Sequence, residues 1–130
     1  MLLWVLFKEF GLTTEYFNDL LSHTFTNVFI NTNKDEMVFI RDDGKEFMFY
    51  HTQDCCESVT IDDVVGDLSD LVGSPITMAE CTTEEDNGSD FDSCTWTFYK
   101  FATIKGYVDV KWYGESNGYY SERVDFREVK

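Results

Sequence analysis

From Phe25 onward, apolar and polar positions alternate with a period of two. Phe25, Asn27 and Phe29 alternate with Thr26, Val28 and Ile30, Met37 and Phe39 with Val38 and Ile40, and Phe47 and Phe49 with Met48 and Tyr50. That period is the signature of a strand, whose successive side chains point to opposite faces. Asn33-Lys34-Asp35 and Asp42-Asp43-Gly44 supply turns between these runs, and Asp43-Gly44 is a hairpin signal because such a pair tolerates positive φ. Ser58 to Ile61 continues extended, and Ile76 to Thr82, after the single proline Pro75, is a further candidate strand. Cys94–Phe101, Tyr107–Tyr113 and Tyr119–Phe126 read as a three-stranded antiparallel meander turning through Lys105-Gly106 and Asn117-Gly118. Its alternation puts Val108, Val110 and Trp112 on one face and Tyr107, Asp109, Lys111 and Tyr113 on the other.

Two stretches carry a helical spacing instead. Thr13 or Thr14 can cap a helix over 14–22, with Glu15 in its first turn and Phe17, Leu20 and Leu21 on one side. Over 62–72, Val64, Leu68, Leu71 and Val72 can face inward while the aspartates face water, and Gly73 is placed to end the segment. The expected fold class is therefore α+β: one domain over residues 1–130, mainly antiparallel β-sheet of about six to eight strands, with an N-terminal helix and a short acidic helix. Met1–Phe7 is apolar but lacks a basic start and falls short of a membrane span of about 20 residues, so it reads as a segment docked on the core.

Composition changes this picture in one respect. Hydrophobic residues at 43% and aromatics at 17% are ample for a packed core, but 25 acids against 10 bases leave a formal net charge of −15. Nucleic acid and anionic lipid are attracted by basic residues, so direct binding to either is excluded and the expected partners are basic proteins or metal cations. The imbalance is local. Between Lys45 and Lys100 there is no lysine or arginine, while thirteen carboxylates run from Glu46 to Asp92. Four cysteines, two of them adjacent and none preceded by a secretory signal, fit a reduced cytoplasmic setting.

At the centre of that block stands His51-Thr-Gln-Asp54-Cys55-Cys56-Glu57-Ser-Val59. Imidazole with thiolate suits zinc, so His51, Asp54, Cys55 and Cys56 form a candidate structural zinc site, completed by Cys81 or Cys94 from a neighbouring strand. The plain alternative is that Cys55 and Cys56 are small strand residues, one of them buried. A thiol enzyme with His51 as base and Asp54 or Glu57 orienting it requires a turn, since four strand residues separate His51 from Cys55 by about 13 Å. The surrounding carboxylates would also raise the thiol pKa and leave less thiolate. Thr83 to Ser93 (TEEDNGSDFDS) reads as an acidic loop that lacks the terminal glutamate of a calcium-binding EF-hand.

Four stretches together resemble a known group: His51–Val59, Gly66–Ile76, Cys94–Gly106 (CTWTFYKFATIKG) and Trp112–Glu122 (WYGESNGYYSE). Across about residues 25–128 the chain is similar to a family of small, functionally uncharacterised proteins of bacteriophages and prophages. Being small and acidic, it is also similar in kind to anti-CRISPR and anti-restriction inhibitors. That resemblance implies a non-enzymatic, phage-encoded inhibitor acting in the bacterial cytoplasm. It would bind a basic nucleic-acid-handling defence protein, a CRISPR effector nuclease being favoured, and block its DNA channel. The expected contacts are Asp62, Asp63, Asp67 and Asp70 on the short helix, with Glu84, Glu85, Asp86, Asp90 and Asp92 on the loop. The alternative from another class is a metal-dependent or thiol enzyme centred on His51 with Cys55 and Cys56.

Overall fold

The alternating stretches become strands of two four-stranded antiparallel sheets in a computed structural model that describes residues 20–52, 57–86, 93–116 and 122–129. One sheet contains β1 (Phe25–Ile30), β2 (Glu36–Arg41), β3 (Glu46–Tyr50) and β8 (Asp125–Val129), side by side in the order β1-β2-β3-β8. The other contains β4 (Ser58–Val65), β5 (Met78–Asp86), β6 (Ser93–Thr103) and β7 (Gly106–Ser116), in the order β4-β7-β6-β5. Asp43-Gly44 turns the chain as its residue types require. Gly44 has φ +94°, its N–H donates to the Arg41 carbonyl at 2.9 Å, and the Arg41 N–H donates to the Lys45 carbonyl at 2.7 Å.

Inward-facing rings join the sheets. Phe49 on β3 lies 4.7 Å from Tyr99 and 5.7 Å from Phe101 on β6, and 4.6 Å from Phe126 on β8, centroid to centroid. Phe39 on β2 reaches Phe101 at 5.3 Å in an edge-to-face contact. Val59, Ile61, Val108, Val110 and Trp112 complete the same buried cluster from the second sheet. A strand whose alternate residues are this apolar can only be stable with that face covered, and each sheet covers the other.

The expected α+β class is corrected. Among the described residues, helix is confined to a four-residue 3-10 turn, Leu68–Leu71, and a single 3-10 position at Leu20. Residues 14–19 of the expected N-terminal helix lie outside the described residues. At its end the chain is not α-helical: Leu21 bridges to Ile76, and Ser22 has φ 70° and donates its N–H to the Ile76 carbonyl at 2.8 Å. The acidic helix over 62–72 is also absent, for an instructive reason. Asp62 to Val65 belong to β4, whose register slips between Ile61 and Asp63. A bulge inserts one residue, so Ile61 opposite Trp112 and Val64 opposite Val110 both face inward at a spacing of three. That spacing imitates one turn of helix.

Two further expectations shift. The acidic loop is strand as far as Asp86, because β5 pairs with β6 in unbroken register from Met78–Ala102 to Asp86–Cys94. The meander is real only for β6 and β7, which turn at Ile104-Lys105. Beyond them the chain leaves the sheet, and β8 pairs with β3 from Glu46–Val129 to Tyr50–Asp125. The Asn117-Gly118 turn lies outside the described residues.

Replacing Phe49 by alanine should cost about 3–5 kcal/mol, because its ring is fully buried between the sheets. Phe29→Ala, at a ring 39% exposed on the outer face of the first sheet, should cost less than about 1 kcal/mol. Chemical denaturation of the two variants checks the contrast, and equal losses would contradict the packing described.

Candidate functional site

The described carboxylates singled out by sequence lie on several elements of the second sheet and its 3-10 turn. Asp62, at the bulge, lies 3.5 Å from Lys111 Nζ, while Asp63 is exposed and its carboxylate accepts from the Val64 N–H at 2.9 Å. Asp67 caps the 3-10 turn by accepting from the Ser69 N–H at 3.0 Å, and that bond holds its carboxyl below the ordinary range. Asp70 lies beside the β6–β7 hairpin, where its carbonyl accepts from the Thr103 hydroxyl. Glu84 and Glu85 are exposed near the far end of β5. Glu84 is level with Tyr113, seven residues along β7 from Gly106 beside Asp70, so about 23 Å separates Glu84 from Asp70, whereas Asp63 is level with Lys111, two residues from Tyr113. Asp86 is the last residue of β5, and Asp90 and Asp92 lie outside the described residues.

Bases are placed unevenly over the second sheet. On its outer face Lys100 is the register partner of both Glu80 and Asp109, and Lys111 that of Asp63 and Phe98. Lys111 Nζ also sits 4.9 Å above the Trp96 ring, which packs on Tyr113 at 4.3 Å. These residues floor and rim a groove of about 440 Å³ running past Asp63, Glu80, Phe98, Lys100, Asp109 and Lys111. Farther along β5, the partners of Glu84 and Glu85 are Trp96 and Thr95. No base faces them.

The end of the sandwich where β3, β6 and β7 meet their loops holds a polar cluster of a different kind. His51 follows β3, and its side chain is 3% exposed. Its Nδ1–H donates to the Arg123 carbonyl at 2.7 Å, the only role open to that nitrogen because a carbonyl can only accept. Nε2 then lies 3.0 Å from a carboxylate oxygen of Glu57, which is 1% exposed, and one proton is shared between them. One residue before Arg123, the buried Glu122 carboxylate accepts from the hydroxyls of Ser93, Thr95 and Ser116, Thr95 at 2.7 Å. Burial alone would raise its pKa, but the three donors hold it below the ordinary glutamate value. Gly114 makes room for this arrangement. A Cβ there would come within 3.0 Å of the Glu122 backbone oxygen and of Val59.

Sequence reasoning found His51 by its type and missed Glu122, Ser93, Thr95 and Ser116. A signal was present: on β7 the inward series Val108, Val110, Trp112 ends in Gly114 and Ser116. Small and hydroxylic residues on a face otherwise apolar mark a buried polar group that must be satisfied. Of the zinc candidates, His51 has both ring nitrogens on protein oxygens, while Asp54, Cys55 and Cys56 lie outside the described residues. No three metal-ligating side chains converge among the described residues. Cys81 is no better as a nucleophile, since burial pushes its thiol up to about 12 against the opposing pull of a Tyr99 hydrogen bond. The described residues contain no helix long and apolar enough to cross a membrane.

A family described as "Domain of unknown function (DUF7448)" matches residues 18–126 of this chain. The chain belongs to that family. No curated protein and no solved structure matches it. The matched span of this DUF7448 domain takes in β1 to β7, the start of β8 and the whole polar cluster, from His51 to Arg123.

Two outcomes follow from the cluster. His51→Ala removes two buried hydrogen bonds, to the Arg123 carbonyl and to Glu57, and should destabilise the protein by about 1–3 kcal/mol, read as a lowered denaturation midpoint. For Glu122 the sign is that of a carboxylate with a depressed folded pKa. Its contribution is complete above the ordinary value of 4.5 and is lost as pH falls through the lower folded value. The stability gap between wild type and Glu122→Gln should therefore be constant near neutrality and close in acid. A gap equally wide at both extremes would show that Glu122 is not held as a carboxylate.

Proposed function

We propose that this protein is a non-enzymatic binding protein that presents carboxylates to a basic, nucleic-acid-handling partner and occupies the surface that partner uses for DNA. The observation that carries the reading is the far half of β5, where Glu84 and Glu85 are exposed with no base opposite them and no ion-pair partner among the described residues. Arg41, Lys111 and Arg123, by contrast, are each within 4 Å of an aspartate. Unneutralised charge at an exposed edge steers an oppositely charged partner and raises its association rate. The motif resemblance suggests a phage-borne setting, and the small size and acidity suggest an inhibitor of a host defence protein, with a CRISPR effector nuclease as the favoured target. The competing enzyme reading, centred on His51 with Cys55 and Cys56, has less support, because both His51 ring nitrogens are engaged by protein oxygens.

The test pairs a DNA-cleaving effector nuclease with this protein in a DNA-competition assay at low and high salt. Inhibition should weaken as salt screens the contact, and Glu84→Lys with Glu85→Lys should lower affinity by about tenfold or more at low salt while leaving the thermal melt unchanged. Simultaneous binding of DNA and this protein by the nuclease, or an affinity indifferent to both substitutions, would end the proposal.

A further inference from the structure

Two sheets have four edges, and they are not alike. β1 is six residues long with an irregular register between Phe25 and Asn27, and β8 is five residues long. β4 is broken by the bulge between Ile61 and Asp63. Bulges and shortness are the usual devices by which proteins blunt an edge. β5 has neither. It runs nine residues in unbroken register with β6, contains no proline, glycine, lysine or arginine, and no strand pairs with its outer side among the described residues. On that side, among the described residues, alternate backbone N–H and C=O groups have no strand partner.

From this edge we infer that β5 takes up an extended, basic segment of a partner protein as a fifth strand of the second sheet. The side chains select the occupant. Glu80, Thr82, Thr83, Glu84 and Glu85 are all exposed. A second copy of this chain paired edge to edge would set glutamates against glutamates, and like charges on neighbouring strands destabilise a sheet. A strand carrying lysine or arginine at alternate positions meets the opposite situation. Glu80 and Glu84 share the outer face about 13 Å apart, so bases four residues apart on the incoming strand would reach both. Lys100 on β6 already faces Glu80 from the inner side, and the incoming base would mirror it. Main-chain hydrogen bonds would supply affinity, and the glutamates specificity.

This inference rests on the binding reading above and adds how the partner is held. The probe is a synthetic ten-residue peptide of alternating lysine and threonine, added to the full chain. Its control is the same peptide N-methylated at every residue, which keeps every charge but has no N–H on either edge with which to extend the sheet. Amide hydrogen exchange should slow within β5, N-methylation should weaken binding by about tenfold or more, and Glu80→Lys with Glu84→Lys should abolish it. Equal binding by both peptides would overturn strand addition while leaving a basic partner in place, and a parent peptide that leaves β5 exchange unchanged would overturn it outright. If the peptide does protect β5 but fails to compete with the effector nuclease, strand addition stands and the proposed partner class falls.

Discussion

The fold depends on aromatic rings that belong to both sheets at once. Phe49 is the junction, touching Phe39 and Phe126 in its own sheet and Tyr99 and Phe101 in the other. A buried aromatic ring removes about 150–250 Å² from water, on the order of 4–6 kcal/mol each before entropy is counted. Repulsion among exposed carboxylates is far weaker, roughly 1 kcal/mol for a close pair in water and less in salt. A handful of shared rings is therefore enough to hold together a chain of net charge −15. The aromatic content that composition reveals is spent on this junction, and the surface is left free to be acidic.

The polar end follows from the route of the chain. Having finished β7 in one sheet, it must cross to start β8 in the other, and residues 122–124 make that passage. A crossing segment has no ladder of its own, so its polar groups need other partners. The Arg123 carbonyl takes the proton of His51, and the Glu122 side chain takes three hydroxyl protons from β6 and β7. His51 in turn engages Glu57, tying the segment that leaves β3 to the one that enters β4. These bonds link both sheets at one end. They look inward, which is why the cluster reads as a fastening of the two sheets.

How much of this is legible in the sequence depends on the range over which each feature is decided. β1, β2, β3, β6 and β7 can be read because alternation is local and their turns carry Asp-Gly or a two-residue gap. The end of β4 cannot, because the bulge at Asp62 converts a period of two into an apparent helical spacing. Alternation also says nothing about which strand is the neighbour, so β8 reads as the third strand of a meander when its inward Phe126 is in fact drawn to Phe47 and Phe49. His51 stands out by residue type, but its partners are a backbone carbonyl 72 residues away and a glutamate whose burial only the fold decides. The hydroxyls around Glu122 come from two strands and are separated from it by up to 29 positions.

Charge was legible as a total and not as a place. The base-free block from Glu46 to Tyr99 spans β3, β4, β5 and the first part of β6, whereas the lysines of the second sheet come from the end of β6 and from β7, strands that lie between β4 and β5 in space. The topology thus threads Lys100 and Lys111 through the middle of the acidic sheet, where they face Glu80, Asp109 and Asp63. Carboxylates on that face are partly neutralised by their neighbours. What remains is concentrated where β5 runs past the last of these lysines, opposite Trp96 and Thr95. Among the described residues the same strand has the longest regular edge without a strand partner, so the unneutralised charge and that edge coincide. A charged edge resists pairing with its own kind while it attracts a basic strand, and under the proposed strand addition one set of glutamates would do both.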